Sequence, residues 1–173
     1  MDLPAKSQMF LNVLQTNKGI IYKVANSYCN NVEDRKDLVQ EIIIQLWRSF
    51  HKYSDQYKYT TWIYRIALNV AISFYRKEKR RKNVSNNLPG DIINFVETGT
   101  SADKEIDIGF LQQFIAELRE LDKALMLLCL DQKSQKDIAG IMGISETNVA
   151  TKISRIKKIL KQKFSNLKAQ KNE

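Results

Sequence analysis

Ser134-Gln135-Lys136-Asp137-Ile138-Ala139-Gly140-Ile141-Met142-Gly143-Ile144-Ser145-Glu146-Thr147-Asn148-Val149 is the stretch on which the reading of this chain turns. Ser134 with an acid three residues later, Asp137, fits a helix start, because the hydroxyl can accept from free backbone N–H groups. Ala139 is small where two helices must approach closely, and Gly143 four residues on permits the left-handed backbone of a tight turn. Ser145 caps the helix that follows, and Val149 points back toward the core. Ala-x3-Gly-x5-Val between two caps predicts a helix-turn-helix, whose second helix lies in the major groove of DNA.

An ordinary helical hairpin could carry the same glycine, and the charges downstream argue against it. From Thr147 to Asn172 there are eight bases (Lys152, Arg155, Lys157, Lys158, Lys161, Lys163, Lys168 and Lys171) and no acid. A merely solvated face usually mixes signs. Upstream, a block from about Asp107 reads as four helices, of which this basic one is the last and longest.

A second, N-terminal helical block precedes it. Three helices are expected there, at about Lys6 to Cys29, Arg35 to Phe50 and Thr61 to Arg81. Phe10, Leu11, Leu14, Ile21, Val24, Ala25 and Tyr28 supply the apolar side of the first, and Glu33, Asp34 and Asp37 suit the positive end of the second. In the third, Ile63, Ile66, Ala67, Val70, Ala71 and Phe74 step as a core stripe. Away from that stripe Trp62, Arg65, Asn69, Ser73 and Arg76 share a face, with Tyr53, Tyr57 and Tyr59 upstream and six bases in the seven residues Arg76 to Lys82 downstream. Aromatics interleaved with bases suit single-stranded DNA, where each base offers a face to stack on and each phosphate a charge. Trp62 alone could equally cap the core of this block.

Between the blocks, Asn83 to about Ser101 holds Asn, Ser, Gly and one Pro without sustained period, which is linker chemistry. Residues 91 to 107 add five acids (Asp91, Glu97, Asp103, Glu105, Asp107) against Lys104. The expected architecture is all-α: a domain at 1–82, a flexible linker at 83–106 and a helix-turn-helix domain at 107–173.

Composition excludes much else. In 173 residues, 28 Lys and Arg oppose 19 Asp and Glu, for a net charge of +9 that attracts polyanions. One His (His51) and two Cys (Cys29 and Cys129, expected as buried thiols) cannot build an ordinary zinc site or a disulfide scaffold. Six Gly and two Pro speak against a β-sandwich. Met1-Asp2-Leu3-Pro4 lacks a signal-peptide pattern, and the longest apolar run, Ala124 to Leu130, is far short of the ~20 residues of a membrane span, so a soluble cytoplasmic protein is expected. A closed-duplex repressor or activator would explain residues 134–164 but leave the aromatic-basic face without a task. A recombinase or nuclease would need a metal-binding carboxylate cluster; Asp34, Asp37 and Glu41 share a helix face, yet acids at a helix start are ordinary dipole partners.

A duplex-reading module linked to a strand-opening module resembles a bacterial RNA polymerase sigma factor of the extracytoplasmic-function (ECF) group, over nearly the whole chain and in that family's order. Glu33-Asp34-Arg35-Lys36-Asp37-Leu38-Val39-Gln40-Glu41 followed by Leu46-Trp47 is similar to the polymerase-binding helix of region two. Thr61-Trp62-Ile63-Tyr64-Arg65-Ile66-Ala67-Leu68-Asn69 and its basic tail resemble the −10 recognition and melting segment, and Asp137 through Arg155 resembles region four.

The resemblance implies that Asp37, Leu38, Gln40, Glu41 and Trp47 dock on the β′ coiled-coil of core RNA polymerase, with a further contact to the β flap. It places Trp62, Arg65, Asn69, Ser73, Arg76, Lys77, Lys79, Arg80 and Arg81 on the −10 element, with the loop Asp55 to Thr60 helping Trp62 shape a flipped-base pocket. It places Thr147, Ala150, Thr151, Ser154 and Arg155 at the −35 major groove, with Lys152 and Lys157 on phosphates. Ala150-Thr151 is less basic than in many relatives, and Ser73 stands where Asp or Asn is frequent, so the promoter sequence does not carry over. A monomer is expected, without catalytic residues, metal or cofactor, and with promoter DNA, core polymerase and an anti-sigma factor as partners.

Overall fold

The computed structural model describes residues 3–54, 56–84 and 102–171. Among these residues it contains seven α-helices, one 3₁₀ turn and no strand: α1 Leu3–Tyr28, α2 Val32–Ser49, the turn Phe50–Lys52, α3 Tyr59–Val84, α4 Ala102–Ala116, α5 Glu120–Leu130, α6 Gln135–Met142 and α7 Glu146–Lys171. The chain divides into two compact units, Met1–Pro89 and Gly90–Glu173. Helix enters both ends of the expected linker: α3 continues to Val84, and α4 begins at Ala102. The rest of that stretch, 85–101, including Asp91 and Glu97, lies outside the described residues, as does Asp55.

In the first unit α1, α2 and α3 pack against one another. Asn31 starts α2, its side chain accepting from the Asp34 N–H at 2.7 Å, with Glu33 and Asp34 in the positive first turn. The Arg35 guanidinium donates to the carbonyls of Cys29 and Asn30, which closes the end of α1 against the start of α2. Ile21, Val24, Leu38, Ile42, Leu46, Tyr64 and Leu68 are all but fully buried. Each such side chain contributes about 1.5–3 kcal/mol of burial.

The structure corrects the sequence reading of α3. Its deepest stripe is Ile63, Tyr64, Ala67, Leu68 and Ala71, whereas Ile66, Val70 and Phe74 are only half-buried. The helix therefore turns its Tyr64/Leu68 side to the core and leaves Ile66, Val70 and Phe74 along a cleft beside α2. In α1, Leu11 is 46% exposed instead of joining the core, because it borders a groove with Phe10, Ile43, Ile44 and Trp47.

The second unit builds on Leu125, Leu128, Ile138, Val149 and Ile156 from α5, α6 and α7. α4 joins through Phe114, whose ring meets Phe164 of α7 edge-on at 5.1 Å. Cys29 is buried as expected; Cys129 is half-exposed, because the end of α5 is covered only in part.

Candidate nucleic-acid interface

The turn between α6 and α7 follows from its residues. The Ser134 hydroxyl accepts from the Asp137 N–H at 3.1 Å and donates to the Asp137 carboxylate at 2.6 Å, so cap and first-turn acid hold each other. Gly143 has φ 68° and ψ 34°, and its N–H reaches the Ala139 carbonyl at 2.8 Å. Ser145 caps α7 through the Asn148 N–H at 3.2 Å.

On α7, Val149, Ile153, Ile156 and Leu160 face the core. At about 100° per residue, Thr147, Thr151, Ser154 and Lys158 lie opposite them, with Arg155 at the edge of that outward stripe; all five are exposed. The Thr151 hydroxyl donates to the Thr147 carbonyl at 2.9 Å, leaving its oxygen to accept from a partner. Of the other sequence-predicted residues, Ala150 and Lys157 fall on one flank and Lys152 on the other, with Ala150 and Lys152 half-buried. Lys158, absent from the predicted set, occupies the middle of the stripe; its spacing of four from Ser154 was the available signal.

On α3, Arg65, Asn69, Ser73, Arg76, Lys77, Lys79, Arg80 and Arg81 are exposed. Arg81 pairs with Glu78 at 3.1 Å, a surface contact worth about 0–1 kcal/mol that leaves Arg81 available to a stronger anion. Trp62 is half-buried, against Tyr53 at 5.3 Å and Phe50 at 6.1 Å, while Tyr53 stacks on Tyr59 at 4.3 Å with 16° between planes. Trp62 thus packs against the aromatic rings at the edge of this core, next to the Tyr53–Tyr59 stack, and Tyr57 is 52% exposed.

The residues of α2 singled out by the resemblance divide between two faces. Gln40, Ile44 and Trp47 recur at helical spacing on its outward side; Ile44 was missed, although its place four after Gln40 and three before Trp47 marks it. Trp47 packs edge-on against Phe10 at 5.0 Å, at the 400 Å³ groove that Leu11 also borders. Asp37 and Glu41 turn instead toward α3 and form one wall of a cleft of about 750 Å³ with Gln45 and Ser49. Asn69, Ser73 and Lys77 form the opposite wall, and Ile66, Val70 and Phe74 line it between them. Gln45 donates to Glu41 at 2.7 Å, which orients that carboxylate. Leu38 must be removed from the contact set: at 0% exposure it belongs to the core, one helical position round from Asp37.

Among the described residues no group of His, Cys, Asp or Glu is placed to hold a metal ion, and no helix is long and apolar enough to cross a membrane.

Two family models match the chain: Sigma-70 region 2 over residues 13–81 and Sigma-70, region 4 over residues 111–160. The ECF RNA polymerase sigma-E factor of Escherichia coli is 30% identical over 146 residues, covering 78% of this chain and 75% of that protein. This chain belongs to the ECF sigma factors. The sigma factor is also 28% identical over 148 residues to the ECF RNA polymerase sigma factor SigM of Bacillus subtilis, covering 84% of this chain and 88% of that one. Its fold resembles the sigma factor RpoE of Bartonella quintana, solved in complex with the anti-sigma factor NepR (TM-score 0.69, 19% identity, 90% and 94% covered). It also resembles CnrH, solved in complex with the cytosolic domain of CnrY (TM-score 0.66, 16% identity, 92% and 90% covered).

Proposed function

We propose that this alternative sigma factor, which directs transcription initiation at its promoters, divides its task among three surfaces. Gln40 and Trp47, with Asp37 and Glu41, dock on the β′ coiled-coil of core polymerase, and the second unit contacts the β flap. Asn69 and Ser73, flanked by Trp62, Arg65, Arg76, Lys77, Lys79, Arg80 and Arg81, take the −10 strand. Thr147, Thr151, Ser154 and Arg155 read the −35 element, with Ala150, Lys152 and Lys157 at its margins. The domains are those of regions two and four, at 1–82 and 107–173, joined through 83–106. The protein is a cytoplasmic monomer without catalytic activity, and an anti-sigma factor covers these surfaces until it is released.

The observation that carries this reading is the exposed row of Asn69, Ser73, Arg76 and Arg80 beside an aromatic shelf. Amide and hydroxyl can bond base edges, guanidiniums pair with phosphates, and each stacked base contributes about 1–3 kcal/mol toward holding a strand open. Asn69→Ala is therefore expected to keep the affinity for core polymerase while losing selective opening at the −10 element, read by permanganate reactivity of the promoter. Normal opening by that variant would overturn the assignment of this face.

A further inference from the structure

The segment between the 3₁₀ turn and α3 is tied back by Tyr53. Its N–H donates to the Phe50 carbonyl at 3.3 Å, which closes the turn. Its ring stacks on Tyr59 at 4.3 Å and meets Trp62 at 5.3 Å with 67° between planes, so it is set against the first turn of α3. The hydroxyl carried on that ring donates to the Tyr57 carbonyl at 2.5 Å.

Tyr57 is the residue that this arrangement controls. Its carbonyl accepts from Tyr53 and its N–H donates to the Ser54 carbonyl at 3.4 Å, so both of its backbone groups are bound. Tyr57 is nevertheless 52% exposed. With the backbone held, its ring keeps only its two side-chain torsions, little freedom to lose when a flat partner stacks on it. Packing does not account for the Tyr53 hydroxyl, because phenylalanine would offer the same ring to Tyr59 and Trp62. The bond that the hydroxyl makes is exposed and spans only four residues, so its effect is local: it sets the direction of Tyr57.

We propose that Tyr53 is a positioning residue in strand capture: its hydroxyl fixes Tyr57, and the Tyr57 ring stacks on one unpaired base of the −10 strand. The proposal rests on the reading of this face as the −10 surface. It gives the contact with the base to Tyr57 and the geometry of that contact to Tyr53. Stacking tolerates any base, so this hold complements Asn69 and Ser73, whose amide and hydroxyl can read base edges.

The test uses the full-length chain assembled with bacterial core polymerase. The probes are fluorescein-labelled single strands carrying the −10 region of a promoter that this holoenzyme opens, intact or with one nucleotide made abasic, each position in turn. Tyr57→Ala should weaken binding of the intact strand about 5- to 100-fold, the range of one stacked base. Tyr53→Phe, which keeps the ring and loses the hydroxyl, should weaken it about two- to tenfold. Both losses should vanish on the same abasic strand, and the double variant should bind no worse than Tyr57→Ala. Affinity for core polymerase should be unchanged in all three variants. Wild-type binding by Tyr53→Phe overturns the proposal, as does a loss spread equally over every abasic strand, which a merely structural role would give. Losses that add in full in the double variant overturn it too. Failure of the −10 reading itself would register separately, as Asn69→Ala binding the intact strand like the unsubstituted chain.

Discussion

Arg155 stands at the edge of the outward stripe of α7, exposed, with Thr151 and Ser154 beside it. Its planar fork of donors matches the O6 and N7 acceptors of guanine in the major groove. Arg155→Ala should cost about 1–3 kcal/mol at the preferred −35 site and relax base choice there, measured by competition among −35 variants for the assembled holoenzyme. An equal loss on every variant would make Arg155 a phosphate contact instead. Leu38 shows how a motif can mislead at this scale. It sits between Asp37 and Gln40 in the sequence, but each step round a helix turns about 100°, and that turn takes its side chain inside.

Gly143 lets one element stop and the next begin within three residues. A Cβ added there would meet nothing within 4 Å, so the whole cost of a substitution lies in its left-handed backbone. Gly143→Ala should therefore destabilise the second unit by about 1–2 kcal/mol, seen as a lower urea midpoint. An unchanged midpoint would mean the turn relaxes out of that conformation. The caps of α6 and α7 were legible because Ser134, Gly143 and Ser145 act locally. The buried face of α7 was legible because Lys, Ser and Thr fill its other side. On α3 the buried face lies most of a quadrant round from the Ile63, Ile66, Val70 and Phe74 stripe. Ile63, Tyr64, Ile66, Ala67, Leu68, Val70, Ala71 and Ile72 are apolar nearly all the way round, so only the packing against α1 and α2 determines which of them are covered.

At the level of the molecule, the net charge of +9 is unevenly spread: α3 and α7 carry bases along their exposed sides, while α2 mixes four acids with three bases. The two-block plan was readable from composition, since a polar, aperiodic stretch separates two runs of helical period. The cleft was not readable, because Glu41 and Asn69 are 28 residues apart and meet only once α2 lies beside α3. That meeting sets the Asp37 and Glu41 carboxylates against Asn69, Ser73 and Lys77 across one cleft.

The central claim is that these surfaces act through polymerase. Single-round transcription from a promoter-library template, with bacterial core polymerase and with or without this protein, tests it most directly. The account predicts initiation that depends on the protein and clusters on one shared −35/−10 pair; no protein-dependent start sites, together with tight binding of the free protein to closed duplex, would contradict it.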